Sequence, residues 1–499
     1  MHARESGKHW PHGCGLLPLC TAGVVAALAL AAPACAEPGA LATLVSAGAA
    51  VSAAAVDLQS GKVLEQYHPD TRLTPASLTK LTTAAVALQT WPADKMFTTR
   101  LVTSARVSGS RLEGDLILQG AGDPSLDEHS LWTLAAQVRG AGIERIHGRL
   151  IVDPAPFGSV SCETKDRCDA LKRSDNAYNA PLSAVGVDFG NWCVLVRPTL
   201  RGAPALVRGC AVAALPIPVD GIIKTVGAGG RESLWVERVT DASGDRLHIG
   251  GDVPAGDPVR LYRAMSDPAR GVGLLLEQAL GEIGVAIDGP VVVSAAGMPG
   301  PMTVLGETQG LALREQLGRM LRFSNNYIAD VLTLDLASEL SEQPAARLSD
   351  AGHVLADFLV RLEPASAVTA ASRPLILSGS GLTPENRLSA SDLVDLLAHE
   401  YRDARHFPAF YGTLVVPRDA PFAFLRSGSE AWLDRVALKT GTMQDPYSVC
   451  GIAGFLRKRD GGWIAFAEIV NGTQRMPHVR LDQALAAERS ELDALLARY

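Results

Sequence analysis

The sequence predicts an α/β fold of the α+β kind, in which an antiparallel sheet is flanked by helices and β-rich domains are inserted into the chain. Apolar runs on either side of Gly61 predict a hairpin, and consecutive runs over residues 436–472 predict further antiparallel strands. Helical spacing over residues 74–89 and 311–340 supplies the flanking helices. Between about 101 and 304, short apolar runs interrupted by Gly, Pro and Asp indicate β-rich structure.

Composition limits the class of protein. The 499 residues are 47% hydrophobic and 20% charged, which indicates a globular chain with two to four domains of roughly 100–200 residues each. A formal net charge of −7 argues against nucleic acid or an anionic membrane as the main partner. After residue 36, no run approaches the ~18 apolar residues of a membrane span, so we expect no stable span in the mature protein.

The first 36 residues have the features of an export signal. Arg4 and Lys8 form a positive end, residues 23–32 form a short apolar core, and small residues precede a cleavage point after Ala36. A lipid-modified Cys35 is the alternative, although the residues before it fit that processing poorly. We therefore expect an exported, periplasmic protein.

Five cysteines follow the cleavage point. In an oxidising compartment the close pairs Cys162/Cys168 and Cys193/Cys210 are the expected disulfides, although four cysteines allow three connectivities. Cys450 is then a buried free thiol. A zinc site is the weaker interpretation because no Cys-x-x-Cys or His-Glu-x-x-His spacing accompanies these residues.

The letters ASLTK place Ser77 three residues before Lys80, in a predicted helix with Thr74 as its cap and Pro75 in its first turn. On a helix this spacing brings both side chains to one face. A serine hydroxyl becomes nucleophilic when a base takes its proton, and a lysine can be that base if burial or another positive charge lowers its pKa. The alternative is a surface lysine near a helix start.

The letters ALKTGT lie in a strand pattern near the C-terminus. Lys439 would hold a terminal carboxylate and help lower the pKa of Lys80, while Thr440 and Thr442 offer hydroxyl groups. Gly441 allows a substrate backbone to approach the strand, which can bind an extended peptide by main-chain hydrogen bonds. The alternative is an edge strand protected from aggregation by its lysine.

A third pattern, Ser-x-Asn, has two candidates, at residues 174–176 and 324–326. Catalytic side chains must be held by rigid elements. Ser324 and Asn326 lie in a short break between two amphipathic helices, whereas Ser174 lies in a polar stretch of the β-rich region. We therefore assign the site to the later candidate.

Ser-x-x-Lys, Ser-x-Asn and Lys-Thr-Gly together indicate serine acyl transfer. With TPASLTKLTTAAVAL, LQGAGDPSL, YNAPLSAV, MLRFSNNYIAD, SGSGLTPENRLSASDL and ALKTGTMQDPYSVCGIAGF, the chain resembles the low-molecular-mass penicillin-binding proteins, specifically the D-alanyl-D-alanine carboxypeptidase/endopeptidase group of the penicillin-binding protein 4 type. The long gap between Ser77 and Ser324 is similar to the inserted domains of that group. The resemblance implies a penicillin-recognising transpeptidase-like domain. The predicted divisions are a signal peptide (1–36), an N-terminal transpeptidase-like segment (37–100), the inserted β-rich region (101–304) and a C-terminal transpeptidase-like segment (305–499).

The resemblance, together with these residues, implies the expected mechanism. Lys80 takes the proton of Ser77, which attacks the carbonyl between two D-alanines. Ser324 passes the proton to the leaving amine, and Asn326 positions the substrate and Lys80. The backbone N–H groups of Ser77 and Thr442 would form the oxyanion hole.

The resemblance also implies partners. These are peptidoglycan stem peptides and their D-alanyl cross-links, and β-lactam inhibitors that acylate Ser77; no metal or organic cofactor is required. Asp175 is a candidate contact with the diamino acid of the stem. Asn325 departs from the aspartate frequent in the family, at a position that carries neither the catalytic hydroxyl nor the amide.

Two other functions use the same residues differently. A β-lactamase or related esterase would share the three patterns but release a hydrolysed β-lactam rapidly. A catalytically inactive wall-binding protein would keep the fold, but the intact Ser77, Lys80 and Lys439 count against it.

Overall fold

The computed structural model describes residues 39–294, 301–341, 347–362 and 373–499. The predicted export signal and its cleavage point lie outside the described residues. No helix among the described residues is long and apolar enough to cross a membrane.

The secondary structure alternates between helical and β-rich stretches. The helices are α1 (Gly39–Ala47), α2 (Thr79–Thr90), α3 (Glu128–Gly140), α4 (Lys165–Ala170), α5 (Pro268–Glu282), α6 (Leu313–Arg322), α7 (Asn326–Leu340), α8 (Leu348–Leu362), α9 (Ala390–Arg402), α10 (Phe407–Thr413), α11 (Glu430–Arg435) and α12 (Leu481–Arg498). The strands are β1 (Ala50–Asp57), β2 (Val63–Tyr67), β3 (Thr98–Thr103), β4 (Val107–Ser108), β5 (Arg111–Leu112), β6 (Leu116–Gln119), β7 (Arg145–Ile146), β8 (Leu150–Asp153), β9 (Arg173–Ser174), β10 (Asn191–Arg197), β11 (Leu206–Gly209), β12 (Val219–Gly221), β13 (Lys224–Val226), β14 (Trp235–Asp241), β15 (Gly244–Gly250), β16 (Asp252–Pro254), β17 (Val259–Ala264), β18 (Ala286–Ile287), β19 (Val291–Val293), β20 (Thr303–Gln309), β21 (Val436–Met443), β22 (Val449–Arg457) and β23 (Trp463–Asn471). Short 3-10 helices occupy Ala76–Leu78, Pro417–Asp419 and Ala423–Leu425.

Among the described residues, the first two and the last three strands share one antiparallel sheet, in the order β2-β1-β23-β22-β21. The strands β22 and β23 are buried along almost their whole length, because helices cover both faces of the sheet. The helix α9 contacts β1 and β23, and α12 contacts β22. The predicted antiparallel sheet with flanking helices is confirmed.

The sequence also predicts a closing helix over residues 481–498, with Leu481, Leu485, Leu492 and Leu496 on an apolar face that packs on the sheet. The helix α12 is present there and packs on the sheet. Leu485, Leu492 and Leu496 belong to a buried cluster with Ile452 of β22. Leu481, predicted on the same apolar face, is 39% exposed because it is the first residue of the helix, at the edge of that cluster.

The inserted region leaves and returns through one pair of strands. The strand β3 pairs antiparallel with β20, and the sheet continues as β19-β8-β6-β3-β20. The region has its own buried cluster, running from Leu101 to Val285, which α3 and α5 help to form. These two helices were absent from the β-rich prediction. The predicted limits at 100/101 and 304/305 fall inside β3 and β20, and the division into domains stays a prediction.

The predicted disulfides are confirmed. Cys162 is bonded to Cys168 and Cys193 to Cys210, with Cα–Cα distances of 5.3 and 5.5 Å. Cys450 is a buried free thiol, as predicted. The first bridge closes the loop that leads into α4, and this loop reaches the site described below.

Candidate active site

Ser77 lies in a 3-10 turn immediately before α2. Ala76 has a φ of +46°, a conformation that is costly for a residue with a side chain and that often occurs at functional sites. The Oγ1 of Thr79 donates a hydrogen bond of 2.9 Å to the carbonyl of Ala76 and helps to hold the turn. The backbone strain is therefore located directly beside the hydroxyl of Ser77.

The predicted start of this helix was wrong. Thr74 does not cap it: its hydroxyl donates to the carbonyl of Pro384 at 2.9 Å, and α2 begins only at Thr79. The N-cap of the preceding 3-10 turn is Pro75, without a side-chain capping bond. Tertiary contact with the later chain has replaced the local cap, a competition that a sequence pattern does not reveal.

The ammonium group of Lys80 joins the first two patterns. Its Nζ lies 2.9 Å from Ser77 Oγ, 2.7 Å from Asn326 Oδ1 and 2.6 Å from the carbonyl oxygen of Ser380. The side chain is fully buried. Burial and the nearby positive charge of Lys439 hold the pKa of Lys80 well below its usual value. A neutral amine beside a serine hydroxyl can accept its proton.

Lys439 joins the second and third patterns. Its Nζ lies 3.0 Å from Ser324 Oγ and 2.6 Å from the carbonyl oxygen of Thr440. Burial lowers the pKa of Lys439 to about 7. Ser324 has a φ of +56°, so both serines of the site lie at or beside strained backbone.

The helix α7 positions Asn326. Asn325 is the N-cap of this helix, and its side chain accepts a hydrogen bond of 3.0 Å from the N–H of Ile328. Asn and Asp cap helices about equally well, which accounts for the departure from the family's aspartate. The Nδ2 of Asn326 donates to the carbonyl of Tyr178 at 3.3 Å, so the inserted region reaches the site.

The third pattern lies on β21, the last strand of the sheet, next to the turn that carries Ser77. A Cβ atom on Gly441 would lie 2.5 Å from the carbonyl oxygen of Pro75 and 3.1 Å from Leu78 Cγ. The absence of a side chain at Gly441 thus lets the strand approach the Ser77 turn. Thr442 is exposed and lines the cavity.

A cavity of about 1510 Å³ opens over these groups. Its lining includes residues of every region of the site: Ser77, Ser324, Asn326, Thr442, Tyr178, Gly381 and the disulfide loop from Cys162 to Arg167.

The earlier Ser-x-Asn candidate lies elsewhere. Among the described residues, neither Ser174 nor Asp175 lines the cavity. The hydroxyl of Ser174 bonds within its own segment, to the carbonyl of Asn176 and to Asn179 Oδ1. Asp175 is exposed and accepts a hydrogen bond of 2.7 Å from Asn176 Nδ2, and its contact with substrate stays a prediction.

Sequence reasoning missed Ser380, Asp330 and Arg167, which lie behind Lys80. Ser380 and Asp330 fall within the segments SGSGLTPENRLSASDL and MLRFSNNYIAD, yet no spacing rule connects them to Lys80. Arg167 lies in the disulfide loop, and no pattern in the amino-acid sequence indicates that it pairs with Asp330.

Comparison with known proteins places the chain in a family. The D-Ala-D-Ala carboxypeptidase 3 (S13) family model matches residues 40–498. A D-alanyl-D-alanine carboxypeptidase from an Actinomadura species is 31% identical over 464 residues, covering 89% of this chain and 82% of the relative. The D-alanyl-D-alanine carboxypeptidase DacB of Haemophilus influenzae is 23% identical over 456 residues, covering 88% and 91%. The crystal structure of penicillin-binding protein 4 from Haemophilus influenzae matches with a TM-score of 0.71 at 20% identity, covering 91% of this chain and 99% of that chain. The predicted resemblance is confirmed, and the chain belongs to the D-Ala-D-Ala carboxypeptidase 3 (S13) family.

Proposed function

We propose that this protein is a serine D-alanyl-D-alanine carboxypeptidase and endopeptidase that cleaves peptidoglycan stem peptides through an acyl-enzyme on Ser77. Membership of the S13 family gives the class of reaction. The observation that carries the residue assignment is the contact of the buried Lys80 Nζ with both Ser77 Oγ and Asn326 Oδ1.

In the acylation step, neutral Lys80 takes the proton of Ser77 as the serine oxygen attacks the carbonyl between two D-alanines. The negative charge on the carbonyl oxygen would be stabilised by the backbone N–H groups of Ser77 and Thr442. One such donor is typically worth roughly 3–4 kcal/mol. The carbon–nitrogen bond then breaks and the terminal D-alanine leaves.

The leaving amine needs a proton. Ser324, whose Oγ contacts Lys439 Nζ, donates its hydroxyl proton to the amine and takes in return the proton that Lys80 accepted from Ser77, so Lys80 is neutral again. Lys439 also favours a free carboxylate on the leaving residue, since its charged form gains a partner when that carboxylate binds. Asn326 keeps Lys80 oriented. Water then hydrolyses the acyl-enzyme: Lys80 takes a proton from the water and passes it to the oxygen of Ser77 as the acyl bond breaks, which restores the free enzyme.

The strand β21 gives the substrate a place to lie. As the last strand of its sheet it can pair with an extended peptide by main-chain hydrogen bonds along Thr440, Gly441 and Thr442. The proposed substrates are stem peptides and their D-alanyl cross-links, in the periplasm, and β-lactams act as mimics of the terminal dipeptide. Asp175 is proposed to contact the stem outside the cavity.

The test is the intact mass of the mature protein after brief exposure to benzylpenicillin. We expect a persistent adduct of one drug molecule in the wild type and in Ser174→Ala, and none in Ser77→Ala, because the hydroxyl of Ser77 lies 2.9 Å from the Lys80 amine that takes its proton. Ser174→Ala is the matched control, since its hydroxyl bonds only within its own segment in the described contacts.

Other outcomes separate the alternatives. A wild-type protein without adduct and with intact drug would be an inactive wall-binding protein. A protein without adduct but with hydrolysed drug would be a β-lactamase. An adduct that persists in Ser77→Ala would remove Ser77 as the nucleophile.

A further inference from the structure

A buried ion pair lies behind Lys80 and joins the inserted region to the catalytic region of the chain. Arg167, on α4, donates from Nη2 to Oδ2 of Asp330, on α7, at 2.5 Å. The two side chains are 3% and 0% exposed. Removal of either partner of such a buried pair leaves the other charge uncompensated. That charge then shifts the pKa of an ionisable group nearby.

Asp330 holds the backbone that contacts Lys80. Its Oδ1 accepts from the N–H of Ser380 at 2.8 Å and from Ser378 Oγ at 2.9 Å, and its Oδ2 accepts from Ser380 Oγ at 2.7 Å. The carbonyl oxygen of the same Ser380 accepts from Lys80 Nζ at 2.6 Å. Ser380 therefore connects the carboxylate of Asp330 to the ammonium group of Lys80, because it hydrogen-bonds to both.

The charges facing Lys80 come from three elements. Lys439 on β21 and Arg167 on α4 both lower its pKa, Asp330 on α7 raises it, and burial lowers it most. The neutral groups in contact are Ser77 Oγ, Asn326 Oδ1 and the Ser380 carbonyl. Arg167 thus offsets a carboxylate that would otherwise favour the charged lysine.

The disulfide loop fixes where Arg167 lies. The bridge between Cys162 and Cys168 encloses Arg167, and the Nη1 of that arginine donates to the carbonyl of Ala180. The loop from Cys162 to Arg167 also forms one wall of the cavity. The position of the arginine is therefore set by a covalent link outside the three sequence patterns.

We propose that Arg167 and Asp330 are positioning residues for Lys80: Asp330 holds the Ser380 carbonyl against the lysine, Arg167 neutralises Asp330, and the Cys162–Cys168 bridge keeps Arg167 in place. This proposal rests on the proposed function, in which Lys80 is the base. The competing explanation is that the pair only ties the inserted region to α7.

The test is the rate of acylation by benzylpenicillin as a function of pH, whose acidic limb reports the loss of the neutral base. In Arg167→Met the carboxylate is no longer neutralised, so we expect the limb to move to higher pH by about one unit. In Asp330→Asn the positive arginine is unopposed, so the limb moves to lower pH. If the ion pair only held the inserted region against α7, the two variants would not move the acidic limb in opposite directions.

Three further variants sharpen the result. Arg167→Lys keeps the positive charge, so the acidic limb of its acylation rate should lie at the same pH as in the wild type. Cys162→Ser with Cys168→Ser should move the limb in the same direction as Arg167→Met. Arg238→Met is the control for lost packing: this buried arginine donates to the carbonyl of Ala170, the last residue of the same helix α4. The charges that shift the pKa of Lys80 are those of Lys439, Asp330 and Arg167.

The outcomes separate this proposal from the function it rests on. A wild type that forms no adduct would contradict the proposed function. The proposal would be overturned if the wild type and Arg167→Met both form adducts and the acidic limb of their acylation rates lies at the same pH. This holds even if the variant melts at a lower temperature or acylates more slowly at every pH, because the ion pair would then have only a structural role. A shift shared by Arg238→Met would overturn it as well.

Discussion

Two buried lysines of the site experience similar surroundings but face different partners. Lys80 and Lys439 are 0% and 1% exposed, and burial lowers the pKa of both. Lys80 contacts the hydroxyl of Ser77, whereas Lys439 contacts the hydroxyl of Ser324. The first arrangement suits a base for the nucleophile, and the second suits a cation that binds the leaving carboxylate and orients a proton donor.

Changing Lys439 to Met should therefore affect substrates unequally. For a peptide ending in D-alanyl-D-alanine with a free carboxylate, we expect kcat/KM to fall by about 10- to 100-fold, since a hydrogen bond to a charged group contributes roughly 1.5–3 kcal/mol. The same peptide with its terminal carboxylate amidated should lose much less. Both rates are measured by release of the terminal residue.

The matched control for this residue is Lys458→Met. Lys458 is also largely buried and pairs with Asp57 at 2.7 Å, beyond the end of β22. It should leave the ratio of the two rates unchanged. Equal losses for the free and the amidated peptide in Lys439→Met would show that Lys439 does not bind the carboxylate.

The site depends on how closely the strand β21 approaches the turn that carries Ser77. Gly441 has Pro75 and Leu78 as its near neighbours, and β21 also pairs in register with β22, with Thr442 opposite Cys450. A strand held on one side by a sheet has little freedom to adjust when a side chain is added on the other.

We therefore expect Gly441→Ala to slow acylation by benzylpenicillin at least about tenfold while the protein stays folded. The added methyl group would meet the Pro75 carbonyl at 2.5 Å, so the strand and the N–H of Thr442 must move away from Ser77. The measurement is the rate of adduct formation, together with the melting temperature.

Gly318→Ala, in the middle of α6, is the matched control. A Cβ there meets nothing within 4 Å, and Ala is favoured over Gly in a helix by roughly 0.5–1 kcal/mol. This variant should acylate at the normal rate and melt no lower than the wild type. Wild-type acylation in Gly441→Ala would contradict the proposed role of the close approach.

The elements were predictable where the pattern was long and periodic. The hairpin β1–β2, the strands β21 to β23, the helices α6 and α7 and the closing helix α12 all follow hydrophobic spacing, and all are present. The start of α2 was not predictable, because Thr74 bonds to Pro384 rather than to its own helix. Likewise α3 and α5 lie in a region whose many short strands dominate the local pattern.

For the whole molecule, the sequence indicated which groups meet but not what surrounds them. The three patterns meet in two hydrogen-bonded sets: Lys80 with Ser77 and Asn326, and Lys439 with Ser324. The contact between Arg167 and Asp330 joins residues far apart in the chain that belong to no shared pattern. Such a contact depends on how the inserted region packs on α7, which spacing along the chain does not encode.

Burial also gathers carboxyl groups between the sheet and its C-terminal helix. Glu468 of β23 and Glu488 and Glu491 of α12 are buried, and Glu488 Oε2 accepts a hydrogen bond of 3.6 Å from Cys450 Sγ. Burial raises the pKa of Glu488 to about 8, and burial and the neighbouring glutamates raise that of Glu468 well above its usual value. Glu488 is thus mostly protonated at neutral pH.

The pH dependence of stability follows from these shifts. A carboxyl with a raised pKa in the folded state binds its proton more tightly there than in the unfolded chain. The stabilisation is fully present below the unfolded pKa of 4.5 and is lost as the pH rises to about 8, the folded value for Glu488. For a shift of this size the change is of the order of several kcal/mol.

Glu488→Gln keeps the shape of the side chain but cannot ionise. We expect the wild type to lose several degrees of melting temperature between pH 5 and pH 8, and the variant to lose distinctly less. Some loss should remain, because burial also raises the pKa of Asp123 to about 6 and that of Glu400 to about 8. Glu315→Gln, an exposed glutamate on α6, should behave as the wild type. If the melting temperature of Glu488→Gln falls as far as that of the wild type, ionisation at the α12 interface does not limit stability at high pH.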